Sequence, residues 1–203
     1  MNKETELISN LKSRDYEVRN DAIEALGEYK TEKAENALIQ FITTSKDPFD
    51  IVTANVSLRK CGTQRCIPYL IKLLQYPDQD VRCSAIYSLS ILGNLTLTPI
   101  FINSLNHRCP ITKAYAVSAI KKHGDERAIS PICDYTKKYV SRKRKIQGEP
   151  SPLIEALKFL LKFINDNEEV KKTFAYVIKK ENNIFRNEKH WIQNCIQKEF
   201  NYR

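Results

Sequence analysis

The chain is 203 residues long and carries 33 Lys and Arg against 24 Asp and Glu, a net charge of +9 that favours acidic or phosphate-bearing partners. No apolar run approaches the ~18 residues of a membrane span, and the polar opening Met1-Asn2-Lys3-Glu4-Thr5-Glu6 is no signal peptide, so a cytoplasmic protein with no membrane contact is expected. Six cysteines (Cys61, Cys66, Cys83, Cys109, Cys133, Cys195) lack paired spacing and fit reduced core residues rather than a disulfide framework.

The chain repeats itself. Segments LGEYKTEKAENAL (26–38), LRKCGTQRCIPYL (58–70), LSILGNLTLTPIF (89–101) and IKKHGDERAISPI (120–132) place Leu26, Leu58, Leu89 and Ile120 in one column, spaced by 32, 31 and 31 residues. Ala22, Ala54, Ala85 and Ala116 form a second column four residues upstream, and Gly62, Gly93 and Gly124 a third. A period in this range predicts stacked helical units.

Each unit is expected to hold two short helices and two tight turns. In the first, Val18-Arg19 leads into Ala22 and Leu26-Gly27; in the second, Ile51-Val52 is read at the Val-Arg place. In the third, Pro68 to Leu74 has helical periodicity, Tyr76-Pro77-Asp78 interrupts it, and Val81, Ala85, Ile86 and Leu89 resume it. Gly93 and Gly124 are expected to stop the second helices in a left-handed conformation, and Pro68 and Pro99 to open the next helices. The small Ala column predicts close helix approach. The fifth unit is interrupted: its Ala should fall near 147, yet the best match is Ala156, within Leu153-Ile154-Glu155-Ala156-Leu157 and before Leu160-Leu161. About nine extra residues therefore lie between Tyr139 and Pro152, including Arg142-Lys143-Arg144-Lys145 and Gly148-Glu149-Pro150-Ser151-Pro152. Beyond Asn165 two more helices are expected, one with Val170, Phe174, Val177 and Ile178, the other with Trp191, Ile192, Cys195 and Ile196, closing the core with a polar outer face.

The Val18-Arg19, Ala22, Leu26-Gly27 pattern, seen again as Val81-Arg82, Ala85 and Leu89, together with Gly124-Asp125-Glu126-Arg127-Ala128-Ile129, resembles the HEAT repeat family. It is closest in style to the short bacterial repeats of phycobilin lyases and of many stand-alone scaffolds. The likeness covers about residues 5–165. It implies an all-α fold, a right-handed α-solenoid of about five to six helical hairpins, in a single domain over 1–203. The repeats would fall near 5–34, 35–66, 67–97, 98–128 and 129–165, with a basic loop inserted at 140–152 and capping helices in 166–203. It also implies that the second helices line a concave face.

On those helices, positions one before, two after and six after each Ala should point outward together. They read Asp21, Glu24 and Glu28; Thr53, Val56 and Lys60; Ser84, Tyr87 and Ile91; Tyr115, Ser118 and Lys122. Val56, Tyr87, Ile91 and Tyr115 would form an apolar centre for a partner, unless the helices curl enough for these side chains to cover one another. Arg19, Arg82 and Lys113 form another column. The arginines are expected to pair locally with Asp15, Asp78 or Asp80, while Lys113, with no such Asp, is left to bind. Charge is uneven: residues 1–50 hold 7 basic and 11 acidic side chains, residues 51–150 hold 16 and 6, and residues 151–203 hold 10 and 7. Arg142, Lys143, Arg144 and Lys145 thus read either as a clamp on an acidic surface or as a solvated loop.

Reactive groups for catalysis are not found. Glycosylases of the HEAT-like kind, which excise alkylated purines, need tryptophans and a supporting carboxylate; no carboxylate lies between Val81 and Gly124, and the only tryptophan is Trp191. HEAT-type di-iron hydroxylases need His-Glu pairs, and none of His107, His123 and His190 is followed by Glu. No phosphate loop, serine elbow or Cys-His nucleophile signature is present. Cys61, Cys66, His107 and Cys109 assemble a zinc set only on paper, without a CxxC, so no metal or cofactor is expected, and chromophore ligation does not carry over from the repeats alone.

The expected function is therefore non-catalytic binding of a protein partner by a chain that is monomeric when free. Its most concrete form is an immunity or antitoxin protein that blocks a bacterial toxin, such as a nuclease. Binding of nucleic acid through Lys60, Lys113, Lys121, Lys122 and the 142–145 loop is the alternative, and an alkylpurine-glycosylase-like enzyme the third reading.

Overall fold

The computed structural model describes residues 2–146 and 151–200, with side chains through Cys195. Gly148, Glu149, Pro150 and the Ile196 side chain, all used in the sequence reading, lie outside the described residues. The chain divides into two compact units, residues 1–94 and 95–203. Among the described residues all regular structure is helical.

The first unit holds three helical hairpins: α1 (Lys3–Asn10) with α2 (Tyr16–Leu26), α3 (Glu32–Thr44) with α4 (Pro48–Cys61), and α5 (Ile67–Leu73) with α6 (Gln79–Leu92). The second helices pack in succession, α2 on α4 and α4 on α6. The second unit contains α7 (Thr98–Ser104) with α8 (Pro110–His123) and α9 (Ile129–Val140) with α10 (Pro152–Leu160), then α11 (Glu168–Lys179) and α12 (Arg186–Phe200). There α8 packs on α10, α9 on α11, and α12 reaches α10. Five hairpins and a final pair of helices match the expected five to six units.

Sequence dictates where each helix starts. Asp15, Asp47 and Asp78 accept from the first backbone N–H groups of α2, α4 and α6. Pro48, Pro68, Pro99, Pro110 and Pro152 sit in the first turn of their helices, where a missing N–H costs nothing. The helix ends correct the expectation of left-handed glycine. Gly93 and Gly124 have φ of −75° and −73° with extended ψ, as does Gly62 at −72°. At Gly62 and Gly124 glycine is required for space: a Cβ on Gly62 would lie 2.5 Å from the Leu58 carbonyl oxygen, and one on Gly124 2.6 Å from that of Ile120. The chain turns away so tightly that any side chain would strike the helix it has just left.

Both predicted core columns are buried. Ala22, Ala54, Ala85, Ala116 and Ala156 are at most 1% exposed, and Leu26, Leu58, Leu89, Ile120 and Leu160 are fully buried. Burying each such Leu side chain stabilises the fold by ~2 kcal/mol, and the methyl-only Ala column lets successive second helices close on one another.

Polar ties join adjacent hairpins of the first unit. The buried Glu35 carboxylate on α3 accepts from Thr63 N at 2.7 Å and from Thr63 Oγ1 at 2.9 Å, and Thr31 Oγ1 donates to Glu4 in the same way one repeat earlier. The arginine column departs from expectation. Arg19 pairs across the repeat with Asp50 at 2.8 Å, and Arg82 donates to the Tyr76 and Pro77 carbonyls. Asp15 and Asp78 do not pair with these arginines, because the orphan N–H groups of α2 and α6 claim them. Counting back four from Ala54 also puts Asp50 and Ile51 at the Val18-Arg19 place, one residue earlier than Ile51-Val52. Asp50, where Val81 stands one repeat later, is thus the residue that receives Arg19.

One core position breaks the apolar rule. Asn55 follows Ala54 as Ile23 follows Ala22 and Ile86 follows Ala85, yet both atoms of its fully buried amide lack a hydrogen-bond partner. An unsatisfied buried amide costs about 1–3 kcal/mol. Asn55→Val, which restores the β-branched pattern of the column, is expected to raise the midpoint of thermal unfolding; a lowered midpoint would show that the amide is used.

Candidate partner-binding surfaces

The surfaces of the two units are described separately. In the first unit the second helices present the predicted outward positions. Asp21 and Glu24 of α2 and Glu28 just past its end are exposed, Thr53 and Val56 of α4 are half-buried beside the exposed Lys60, and on α6 Tyr87 and Ile91 are 37% and 38% exposed. Ser84 of α6 is half-buried, its hydroxyl enclosed without a partner. The helical period thus brings Val56, Tyr87 and Ile91 to neighbouring helices of one layer.

Two cross-repeat contacts organise this layer. Lys60 Nζ lies 2.6 Å from Glu28 Oε1, an exposed pair whose carboxylate raises the lysine pKa. The Arg59 guanidinium sits 4.6 Å from the centre of the Tyr87 ring, a cation–π contact across the repeat. Sequence reasoning selected Lys60 as a basic contact and passed over Arg59. The structure places Lys60 against an acidic neighbour and makes Arg59 the residue that steadies Tyr87. The signal available was the 28-residue step from Arg59 to Tyr87, close to one repeat.

In the second unit Lys113 and Tyr115 on α8 are half-buried and Lys122, in its last turn, is exposed. Lys121 is tied to the buried Glu155 at 2.5 Å, with Lys158 on the same carboxylate at 3.3 Å, so it is not a spare cation.

The 142–145 run is not uniform. Arg142, Lys143 and Lys145 are exposed, but Arg144 turns inward with its side chain 17% exposed. Its Nη2 donates to the fully buried Glu188 at 3.0 Å, and its guanidinium lies 3.3 Å from the centre of the Tyr139 ring and 5.0 Å from that of Phe185. Glu188 also accepts from Ser151 Oγ at 2.5 Å and from Phe185 N at 2.9 Å. Desolvation lowers the Arg144 pKa, the charge and hydrogen bond of Glu188 oppose that shift, and burial raises the Tyr135 pKa. Arg144 therefore fastens its loop to the start of α12 and presents no charge to a partner. Glu188 was missed because its partners lie 44 and 37 residues away, beyond any local pattern.

Among the described residues no three His, Cys, Asp or Glu side chains gather as a metal site, and no helix is long and apolar enough to cross a membrane. Burial pushes the Cys61 thiol up to about 11 and the Cys66 thiol to about 12, with the Glu35 carboxylate adding to both.

Comparison with known proteins agrees with this geometry. The HEAT repeat family model matches residues 66–95, the third hairpin. No curated protein sequence matches the chain. An engineered protein superposes with a TM-score of 0.61 at 16% identity, covering 95% of this chain and 96% of its own. The complex of CpcE and CpcF of phycocyanin lyase from Nostoc sp. PCC7120 is similar with a TM-score of 0.57 at 20% identity, covering 96% and 94%. A designed armadillo repeat protein in complex with the peptide (KR)4 is similar with a TM-score of 0.50 at 17% identity, covering 86% and 98%. The chain thus has an all-α helical-repeat fold whose third hairpin matches the HEAT repeat family model.

Removing one partner of a buried ion pair costs about 3–5 kcal/mol. Arg144→Ala and Glu188→Gln should each lower the unfolding free energy by an amount in this range, and the double variant should cost less than the two added together; additive losses in chemical denaturation would show that the pair does not act as a unit. At pH 8 the thiolate is scarce at Cys61 and Cys66, so iodoacetamide should modify the half-buried Cys195 of the native protein first. Mass mapping that finds Cys66 labelled first would contradict its enclosure.

Proposed function

We propose that the chain is a non-catalytic protein-binding scaffold whose first unit engages a partner through the outward positions of α2, α4 and α6. The observation that carries this reading is the pairing of a partly exposed apolar group, Tyr87 and Ile91 with Val56, with the exposed acidic row Asp21, Glu24 and Glu28 on the same layer. A tyrosine held by Arg59 is a preorganised anchor, and aromatic anchors within a polar rim are typical of hot spots. Repeat proteins of similar fold are described in complexes, one with a basic peptide and one between two lyase chains.

The most concrete form is an immunity or antitoxin protein that occludes a bacterial toxin. A nuclease toxin is a fitting target, because a cleft that holds phosphates is cationic and the α2 row supplies negative charge to meet it. Nucleic-acid binding is the second reading, favoured by the 21 basic against 11 acidic residues of the second unit. It is weakened by Lys60 and Lys121, which already face carboxylates.

The test is affinity capture from the native cells with and without nuclease treatment, then reconstitution of the purified pair with wild-type protein and with Tyr87→Ala/Ile91→Ala. A single stoichiometric protein that survives nuclease, loses affinity at least ~100-fold to the double variant, and is inhibited as an enzyme by the wild type is the expected outcome. A partner indifferent to both substitutions, or only nucleic acid that disappears on salt washing, overturns it.

A further inference from the structure

Three segments of the second unit meet at one corner. The Asn183 side chain, in the turn between α11 and α12, donates to the Val140 carbonyl at the end of α9 at 2.9 Å. Arg144 spans from Tyr139 at the end of α9 to Phe185 and Glu188 at the start of α12, and so fixes the 141–146 loop between them. Segments separated by about 40 residues in sequence thereby share one surface.

That surface is strongly cationic. Lys138, Arg142, Lys143, Lys145, Lys179 and Arg186 are all exposed and make no ion pair among the described residues. Of the carboxylates near it, Glu188 is fully buried against Arg144, Glu181 pairs with Lys189 and Glu169 with Lys137, while Asp134 lies exposed one turn before Lys138 on α9. Part of this charge complements the carbonyl ends of α9 and α11, which accounts for Lys138 and Lys179 but not for the loop or for Arg186 at the opposite pole of a helix. Directly after Lys145 in this loop, Ile146 is 84% exposed, the most exposed large apolar side chain among the described residues.

We propose that this corner is a second, separate docking surface, for an acidic protein segment that carries an apolar side chain among its carboxylates. Charge complementarity selects an anionic partner, and Ile146 selects among anionic partners. A phosphate backbone offers nothing to bury an isobutyl-sized group, and of the three guanidinium groups at this corner Arg144 is closed between two rings and a carboxylate while Arg142 and Arg186 are exposed. An acidic amphipathic segment satisfies both features: its carboxylates meet the lysines at the rim while its apolar side chain covers Ile146. This surface does not depend on the Tyr87 face, so either reading can fail alone.

The test is fluorescence anisotropy with the full chain and three probes: a labelled peptide alternating Glu and Leu, a poly-Glu peptide of the same charge, and a duplex DNA oligonucleotide. The Glu-Leu peptide should bind ~10-fold or more tightly than poly-Glu, the increment expected for one buried aliphatic anchor. Ile146→Ser should abolish that difference, Lys143→Glu/Lys145→Glu should weaken both peptides, and Tyr87→Ala/Ile91→Ala should change neither. Circular dichroism melts of each variant, matched to wild type, separate lost binding from lost folding. Equal affinity for the two peptides, tighter binding of DNA than of the Glu-Leu peptide, or no effect of Ile146→Ser overturns the proposal.

Discussion

Close approach of consecutive second helices is the constraint on which the rest depends. Within the first unit α2 packs on α4 and α4 on α6, Ala22, Ala54 and Ala85 are essentially without exposure, and a Cβ on Gly27 at the end of α2 would lie 2.9 Å from that of Ser57 on α4. A larger side chain at any of them would push neighbouring helices apart, since an interior at crystal-like density has no slack to absorb added volume. The Leu column one turn on then fills the space toward the first helices. Gly62 and Gly124 serve the same geometry, because the chain leaves α4 and α8 so sharply that a Cβ would strike the Leu58 and Ile120 carbonyls.

Given that spacing, polar contacts that look local in sequence become contacts between repeats. The 31-residue step from Arg19 to Asp50 and the 28-residue step from Glu35 to Thr63 both span one hairpin. The same step lines up Glu28 with Lys60 and Arg59 with Tyr87 on the outward layer. A repeat with a fixed rise converts sequence period into side-chain adjacency. Outward side chains are consequently supplied one or two per helix, and Lys60 and Tyr87 each meet a group from the preceding repeat. Asn55 is the cost side of the same regularity: a polar residue at a position whose counterparts are Ile23 and Ile86 is enclosed whether or not its amide finds a partner.

The second unit departs from strict repetition, and there the long contacts dominate. The extra residues before α10 break the period, and the loop they create is secured by Arg144 on Glu188 between Tyr139 and Phe185. An insertion that might have been a plain charged loop becomes a corner where three segments converge, with its remaining cations and Ile146 on the outside. One inward-turned arginine separates a structural charge from charges available to a partner.

By itself the sequence determined the all-α repeat class, the hairpin count, the two core columns and the outward positions on α2, α4 and α6. Those follow from periodicity, which a helix of 3.6 residues per turn maps directly onto faces. It located Ala156 and Leu160 beyond the insertion for the same reason. The tertiary structure alone decided which charges are spent: that Asp15 and Asp78 cap helices while Asp50 takes Arg19, that Lys60 faces Glu28, and that Arg144 is withdrawn from its basic run. Ion-pair choice depends on which of several nearby groups has the better geometry and the drier surroundings, and neither is encoded in spacing along the chain. Glycine showed the same division. Its positions were readable from the repeat, but its reason, an extended turn with no room for a Cβ, required the backbone path in three dimensions.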